Sequence, residues 1–286
     1  MDSSIKKEND PCIKMDLLKN LHQQGYHVLP GLLSPDRVKE VRSLLKEKFE
    51  ERFTDEELER DDTIPDHLCV IPELMNTFFN DRLLESIRIS LGDQFVLLST
   101  SCIRNSYKRM HTDLTTAESV GATFHFLPDF NCITIGIYLQ DCDAQGGGLF
   151  VVPESHKKRD PLVKSRLLEQ GIGVPWYGKI THKLTQGKYP VYDDYSAFEG
   201  GGINIPSKAG DAVIFDMRLL HRGSKAIEKR ELTKYALFYH LSAIGESCDQ
   251  HIKFLFSKHG HCYLREPRNN LKLLQQKASE NGFSAI

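Results

Sequence analysis

The sequence predicts a mainly β protein with flanking helices, in which helices pack on a barrel-like or two-sheet core. Three observations carry this. Helical patterning dominates up to about residue 94, and from Phe95 the chain changes to short runs rich in Val, Ile, Phe and Thr, separated by Gly, Pro, Asp and Asn. Such runs are strand-and-turn grammar. No repeat with a period of roughly 20–50 residues is visible, which argues against propellers and solenoids. Helices first and many short strands after them suggest one β core with helices laid against it.

Taken in order, residues 1–14 are polar and charged and are expected to form a flexible tail, with a single domain over 15–286. Its first part, 15–94, is expected to be the mainly helical flank. From Leu17 a short helix should stop at Gly25, followed by extended Tyr26–Leu29 and a Pro30–Gly31 turn. The next helix start is clear: Ser34 is placed to cap, Pro35 holds the first helical position, and Asp36 suits the positive end. Val38, Val41, Leu45 and Phe49 then recur on one face. Glu50 to Asp62 reads as a solvated connection, and Pro72–Leu91 again suits helix. The core spans 95–245, with strands expected at Phe95–Arg104, Cys132–Leu139, Gly148–Val152, Ala212–Phe215 and Lys234–Ser242. Within it, 157–207 breaks the strand rhythm. A short helix fits Pro161–Glu169, and Trp176, Tyr177, Tyr189, Tyr192 and Tyr195 suit a lid or substrate wall. Residues 246–286 form a C-terminal extension.

Composition excludes several functions. With 37 Lys+Arg against 39 Asp+Glu the net charge is -2, so there is no basic footprint for nucleic acid. The near-neutral balance favours a small-molecule substrate. No run approaches the roughly 18 apolar residues of a membrane span, and the N-terminus has no signal-like apolar stretch. Seven cysteines, an odd number without a CxxC pair, point to reduced thiols and a cytoplasmic setting. The oligomeric state is not legible.

The sharpest chemical signal is His111-Thr112-Asp113. On an extended segment, residues i and i+2 share a face, so an imidazole and a carboxylate point to one place. These are two members of the 2-His-1-carboxylate set that leaves open positions on ferrous iron. Alone, this spacing is common. His221 strengthens it: it follows the apolar run Ala212–Phe215 and precedes Gly223, where a returning sheet could set it opposite His111 and Asp113. Other histidines have plainer readings. His125 suits a satisfied core or lid position and His156 a pocket edge, while His240 lines the core or is hydrogen-bonded within it. The group His251, His259, His261 and Cys262 fits no zinc-finger spacing.

In the order GYHVLPGLLS, HTD, ITIGIYLQDCDAQGGGLFVVPESHK, GDAVIFDMRLLHRGS and KYALFYHLS, the chain resembles the phytanoyl-CoA dioxygenase family of Fe(II)/2-oxoglutarate oxygenases. The resemblance runs from about Leu17 to Ala243. It implies a double-stranded β-helix (a jelly-roll, cupin-like core) and gives His111, Asp113 and His221 to iron. It further implies a dioxygenase that turns 2-oxoglutarate and dioxygen into succinate and CO2 while hydroxylating a substrate. Asp113 favours hydroxylation, because related halogenases lack this carboxylate. One position departs from the pattern. Where such enzymes usually place an Arg for the distal carboxylate of 2-oxoglutarate, the alternation of the last strand puts Lys234, with Ala236, Phe238 and His240 on the same face. Arg230 is the alternative cation, and Ser224 could add a hydroxyl. A Lys offers a point charge where Arg offers a fork. The departure keeps a second reading open, a β-helix that retains its metal site but serves as a binding or scaffold protein. A cupin-like protein with another metal is a third.

Overall fold

The computed structural model of the chain describes residues 11–54, 62–105, 110–142, 148–157, 202–223, 233–260 and 268–286. The larger of its two sheets has seven strands. These are β1 (Tyr26–Leu29), β2 (Asp62–Pro65), β3 (Phe95–Arg104), β4 (Cys132–Tyr138), β7 (Ala212–Asp216), β9 (Tyr235–Ala243) and β10 (Ser284–Ala285), in the order β1-β7-β4-β9-β3-β10 with β2 also on β3. The smaller has β5 (Leu149–Val151), β6 (Ile203–Asn204) and β8 (His221–Gly223), in the order β6-β5-β8. All pairings are antiparallel except β10 with β3. The sheets face each other as in a jelly-roll and do not close into a continuous barrel. No helix among the described residues is long and apolar enough to cross a membrane.

The central strands are largely apolar because both faces are mostly buried. On β4, Ile133, Ile135 and Ile137 join the core beneath the helices, whereas Tyr138 belongs to the core between the sheets. β7 divides in the same way: Ala212 and Ile214 face the helices, Val213 and Phe215 the smaller sheet. β9 sends Tyr235, Leu237, Tyr239 and Leu241 to the helix side and Ala236 to the inner side. Period-two alternation therefore sorts each strand into a structural face and a cavity face.

The helix Pro35–Arg52 starts as its sequence requires, with Ser34 Oγ accepting from the Arg37 amide, and buries Val38, Val41, Leu45 and Phe49. Arg42 ties this helix to the sheet by donating at 2.9 Å to the carbonyls of Leu139 and Thr233, at the ends of β4 and β9. The first helix already runs from Pro11 to Gln24, upstream of the apolar run at Leu17. The single helix expected over Pro72–Leu91 is interrupted: short turns cover Pro72–Leu74 and Met75–Phe78, and a separate helix covers Asp81–Leu91. The break has a local cause, because the Asn80 side chain accepts from the Leu83 amide and caps a new start. The expected helix at Pro161–Glu169 and the aromatic residues from Trp176 to Tyr195 lie outside the described residues.

The cysteines Cys69, Cys102, Cys132, Cys142 and Cys248 are all reduced and buried. Burial pushes the Cys102 thiol up to about 12, so these side chains behave as small apolar groups.

Candidate active site

β8 brings the first two site residues together. His111 and His221 form a narrow antiparallel bridge, in which each amide donates to the other's carbonyl at 3.0 and 2.9 Å. Their rings lie 4.4 Å apart between centroids. Two residues on, the Asp113 amide donates to the Met217 carbonyl at 3.2 Å, which turns its carboxylate toward the same point. One ligand atom from each of His111, Asp113 and His221 lies within 4.8 Å of the other two. It is the one such His/Cys/Asp/Glu group found among the described residues.

The ring of His221 is oriented from behind. Its Nδ1 stands 2.9 Å from the Leu219 carbonyl. A carbonyl only accepts, so Nδ1 carries a hydrogen and Nε2 is the nitrogen that faces Asp113 Oδ1, at 3.5 Å, where it donates to the carboxylate when protonated and offers its lone pair to a metal when not. Burial pushes the Asp113 carboxyl up, but the imidazoles of His221, His240 and His111 outweigh it and hold the group well below the usual carboxylate range. The donor set is thus two nitrogens and a charged oxygen on one face, which suits a divalent first-row metal with open positions.

These residues open into a cavity of about 510 Å³ between the sheets, lined also by Thr63, Ser99, Ser101, Tyr138, Lys234, Phe238 and His240. Lys234 sits where the alternation of β9 places it. Its backbone is pinned, the amide donating to Asn105 Oδ1 and the carbonyl accepting from the Asn105 amide, both at 2.9 Å. The side chain is only 4% exposed and its ammonium donates to the Gly148 carbonyl at 3.3 Å. Across the ladder, Tyr138 pairs with Ala236, which makes Lys234 its diagonal neighbour on the same face, within reach of two long side chains. The Tyr138 hydroxyl is buried and has no hydrogen-bond partner among the described residues. Burial pushes its phenol well up, so it remains a donor. The floor between the two ends depends on Gly136, where a Cβ would lie 2.9 Å from Phe238 Cε1.

The remaining candidates separate cleanly. Ser224 and Arg230 lie outside the described residues, as do His261 and Cys262. His125 is buried with Nε2 3.5 Å from Glu118 Oε1. His156 is 3.2 Å from the His22 carbonyl and lines a different cavity. His251 is buried and stacks on Phe124, centroids 4.5 Å apart. His240 does line the site, with Nδ1 2.8 Å from Ser99 Oγ. Thr134 and Tyr138 are the site residues that motif reasoning passes over. The alternation of ITIGIY, with its isoleucines on the helix side, is the signal that places them inward.

A comparison with curated proteins finds no significant match. Among solved structures, the epimerase SnoN in complex with Fe3+, alpha ketoglutarate and nogalamycin RO is similar over 82% of this chain and 85% of its own, at 15% identity and a TM-score of 0.57. HygX from Streptomyces hygroscopicus with nickel and 2-oxoglutarate bound is similar over 80% and 86%, at 17% identity and 0.55. EctD from S. alaskensis with bound Fe is similar over 83% and 79%, at 17% identity and 0.54. These likenesses show a shared fold. The family model for phytanoyl-CoA dioxygenase (PhyH) matches residues 21–227, a span that holds His111, Asp113 and His221 and ends before Lys234. Because that match takes in well over half of the sequence, the chain belongs to the phytanoyl-CoA dioxygenase family.

Proposed function

We propose that the chain is an Fe(II)- and 2-oxoglutarate-dependent dioxygenase that hydroxylates a small-molecule substrate. The observation that carries this reading is the convergence of His111, Asp113 and His221 at one wall of a cavity whose other end holds Lys234 and Tyr138. His111, Asp113 and His221 would hold the metal. When bound, ferrous iron with 2-oxoglutarate supplies the oxidising power, taking up dioxygen and releasing succinate and CO2.

The protein's own groups divide the remaining work. Asp113, kept ionised by its imidazole neighbours, offsets the charge of a divalent ion. Leu219 fixes which nitrogen of His221 faces the cavity. Lys234 and Tyr138 suit the distal carboxylate of 2-oxoglutarate, one by charge and the other by a buried hydroxyl that a carboxylate oxygen would satisfy. From Thr134, beside the metal end, to Tyr138 is about 13 Å of strand, a span closed by a five-carbon dicarboxylate together with the reach of the Lys and Tyr side chains. Ser224 and Arg230 are the further candidates for that carboxylate. The inner walls, Phe238 and Leu149 among them, exclude water from the space between.

Two assays test the reading. Prepared without oxygen and then given Fe(II), 2-oxoglutarate and air, the protein should form succinate slowly even without substrate, and His111→Ala should abolish it. Metal-dependent 2-oxoglutarate binding with no succinate across a range of substrates would instead mark a binding or scaffold protein that retains the site. SnoN and SnoK are described as an epimerase and a carbocyclase, so the hydroxylase half needs product analysis: a product one oxygen atom heavier supports it, and an isomerised or cyclised product refutes it.

A further inference from the structure

The two oxygens of Asp113 are treated differently by the fold. Oδ1 faces the Nε2 of His221 at 3.5 Å. Oδ2 is turned to the larger sheet, where Thr134 Oγ1 donates to it at 2.5 Å and His240 Nε2 stands 4.0 Å away. These contacts come from one row of the sheet. Thr134 on β4 is the register partner of His240 on β9, and His240 is the register partner of Ser99 on β3. Ser99 Oγ in turn lies 2.8 Å from His240 Nδ1 and so holds the ring. Three adjacent strands thus aim one side chain each along a line that ends on Oδ2. Thr134 is fully buried, with its hydroxyl committed to this contact. A short O–H···O⁻ bond of this kind belongs to the stronger class of hydrogen bonds.

We infer that Thr134 is a positioning residue that makes Asp113 a one-oxygen ligand, with His240 and Ser99 supporting it from the same row. The inference rests on the function proposed above. A carboxylate with both oxygens free can chelate a metal and occupy an additional coordination position. Binding Oδ2 to the sheet leaves Oδ1 for the metal and keeps that position open. The consequence is direct for this chemistry, because a 2-His-1-carboxylate site works through its open positions. The role also accounts for a hydroxyl in the middle of Ile133-Thr134-Ile135, a run in which valine would fill the same volume.

The experiment uses the full chain, stripped of metal and titrated with Co(II), whose ligand-field absorption reports both affinity and coordination number. Wild type and Thr134→Ser should give the same spectrum, with affinities within about threefold of each other. Thr134→Val, of equal size, should bind Co(II) about 10- to 100-fold more weakly, the usual cost of losing a group that orients a ligand, and its absorption bands should change in intensity and position. Circular dichroism checks that each variant is folded. If Thr134→Val does not fold, Thr134→Ala is read against the same limits. A folded Val or Ala variant with the affinity and spectrum of wild type overturns the positioning role while leaving the metal site standing. Wild type that takes up no Co(II), or whose uptake survives His111→Ala, overturns the proposed site and this inference with it.

Discussion

Tyr138→Phe separates function from stability at a single atom. The hydroxyl is fully buried and unpartnered among the described residues, and such a group costs on the order of 1–3 kcal/mol in the folded state. Removing it keeps the ring and its edge-on packing with Phe238, centroids 6.1 Å apart, and removes that penalty. The variant should therefore be as stable as wild type or more so, with a Tm unchanged or raised by about 2–4 °C. Binding should move the other way. A hydrogen bond to a charged acceptor contributes about 1.5–3 kcal/mol, so 2-oxoglutarate affinity should fall about 10- to 150-fold. Calorimetric titration of 2-oxoglutarate into the protein loaded with a redox-inert metal, beside a thermal melt, gives both quantities. A variant that loses more than about 4 °C in Tm and binds 2-oxoglutarate as wild type does would show that the hydroxyl serves the fold, and the carboxylate assignment of Tyr138 would be wrong.

Lys234→Ala should weaken 2-oxoglutarate binding much more than metal binding in the same titrations; if Arg230→Ala does so instead, Arg230 holds the carboxylate. Gly136→Ala sets a methyl 2.9 Å from Phe238 Cε1, so it should displace that ring into the cavity, cost about 1–3 kcal/mol of stability and raise the KM for 2-oxoglutarate; an unchanged melt and KM would show that the floor has slack. Phe49→Ala removes a fully buried ring and should lower unfolding free energy by about 3–5 kcal/mol, read from the urea midpoint. His67 is fully buried and burial lowers its pKa from 6.5 to about 3. Below pH 6.5 the unfolded chain takes up a proton that folded His67 refuses, so stability is intact above pH 6.5 and is lost as pH falls toward 3. This group's share is about 2 kcal/mol between pH 7 and pH 5; His67→Phe should flatten the acid limb of urea midpoint against pH by about one proton, and an unchanged slope refutes the assignment.

Much of the fold was legible because its signals are local. Ser34-Pro35-Asp36 carries a helix start in three residues, and the structure begins that helix at Pro35. Phe95–Arg104 reads as a strand from its β-branched and aromatic run, and the strand has those limits. The break at Asn80 has a local signal too, which reading Pro72–Leu91 as one helix passes over: Asn76, Thr77, Phe78 and Phe79 are weak helix formers, and Asn80-Asp81 is a start signal that the capping contact to Leu83 realises. Pairing order is non-local. Nothing in Tyr26–Leu29 announces that it will lie against Ala212–Phe215, since that choice is made by which apolar faces meet beneath the helices.

The site divides along the same line. His-x-Asp is legible because two candidate ligands on one short extended segment share a face, and His221 because it follows an apolar strand from which a returning sheet can set it opposite them. Lys234 was reachable through alternation, since counting by twos along β9 joins it to Phe238 and His240 in the cavity. Thr134 and Tyr138 obey the same count on β4, yet a threonine and a tyrosine in an apolar strand look like ordinary β formers. What distinguishes them is their surroundings across the fold: Asp113 for Thr134, and for Tyr138 the diagonal neighbour Lys234. Chemistry of this kind is written on one face of a strand whose other face is all isoleucine. The residues that depart from the apolar pattern of an inward face are therefore the ones to test first, and on β4 those are Thr134 beside Asp113 and Tyr138 beside Lys234.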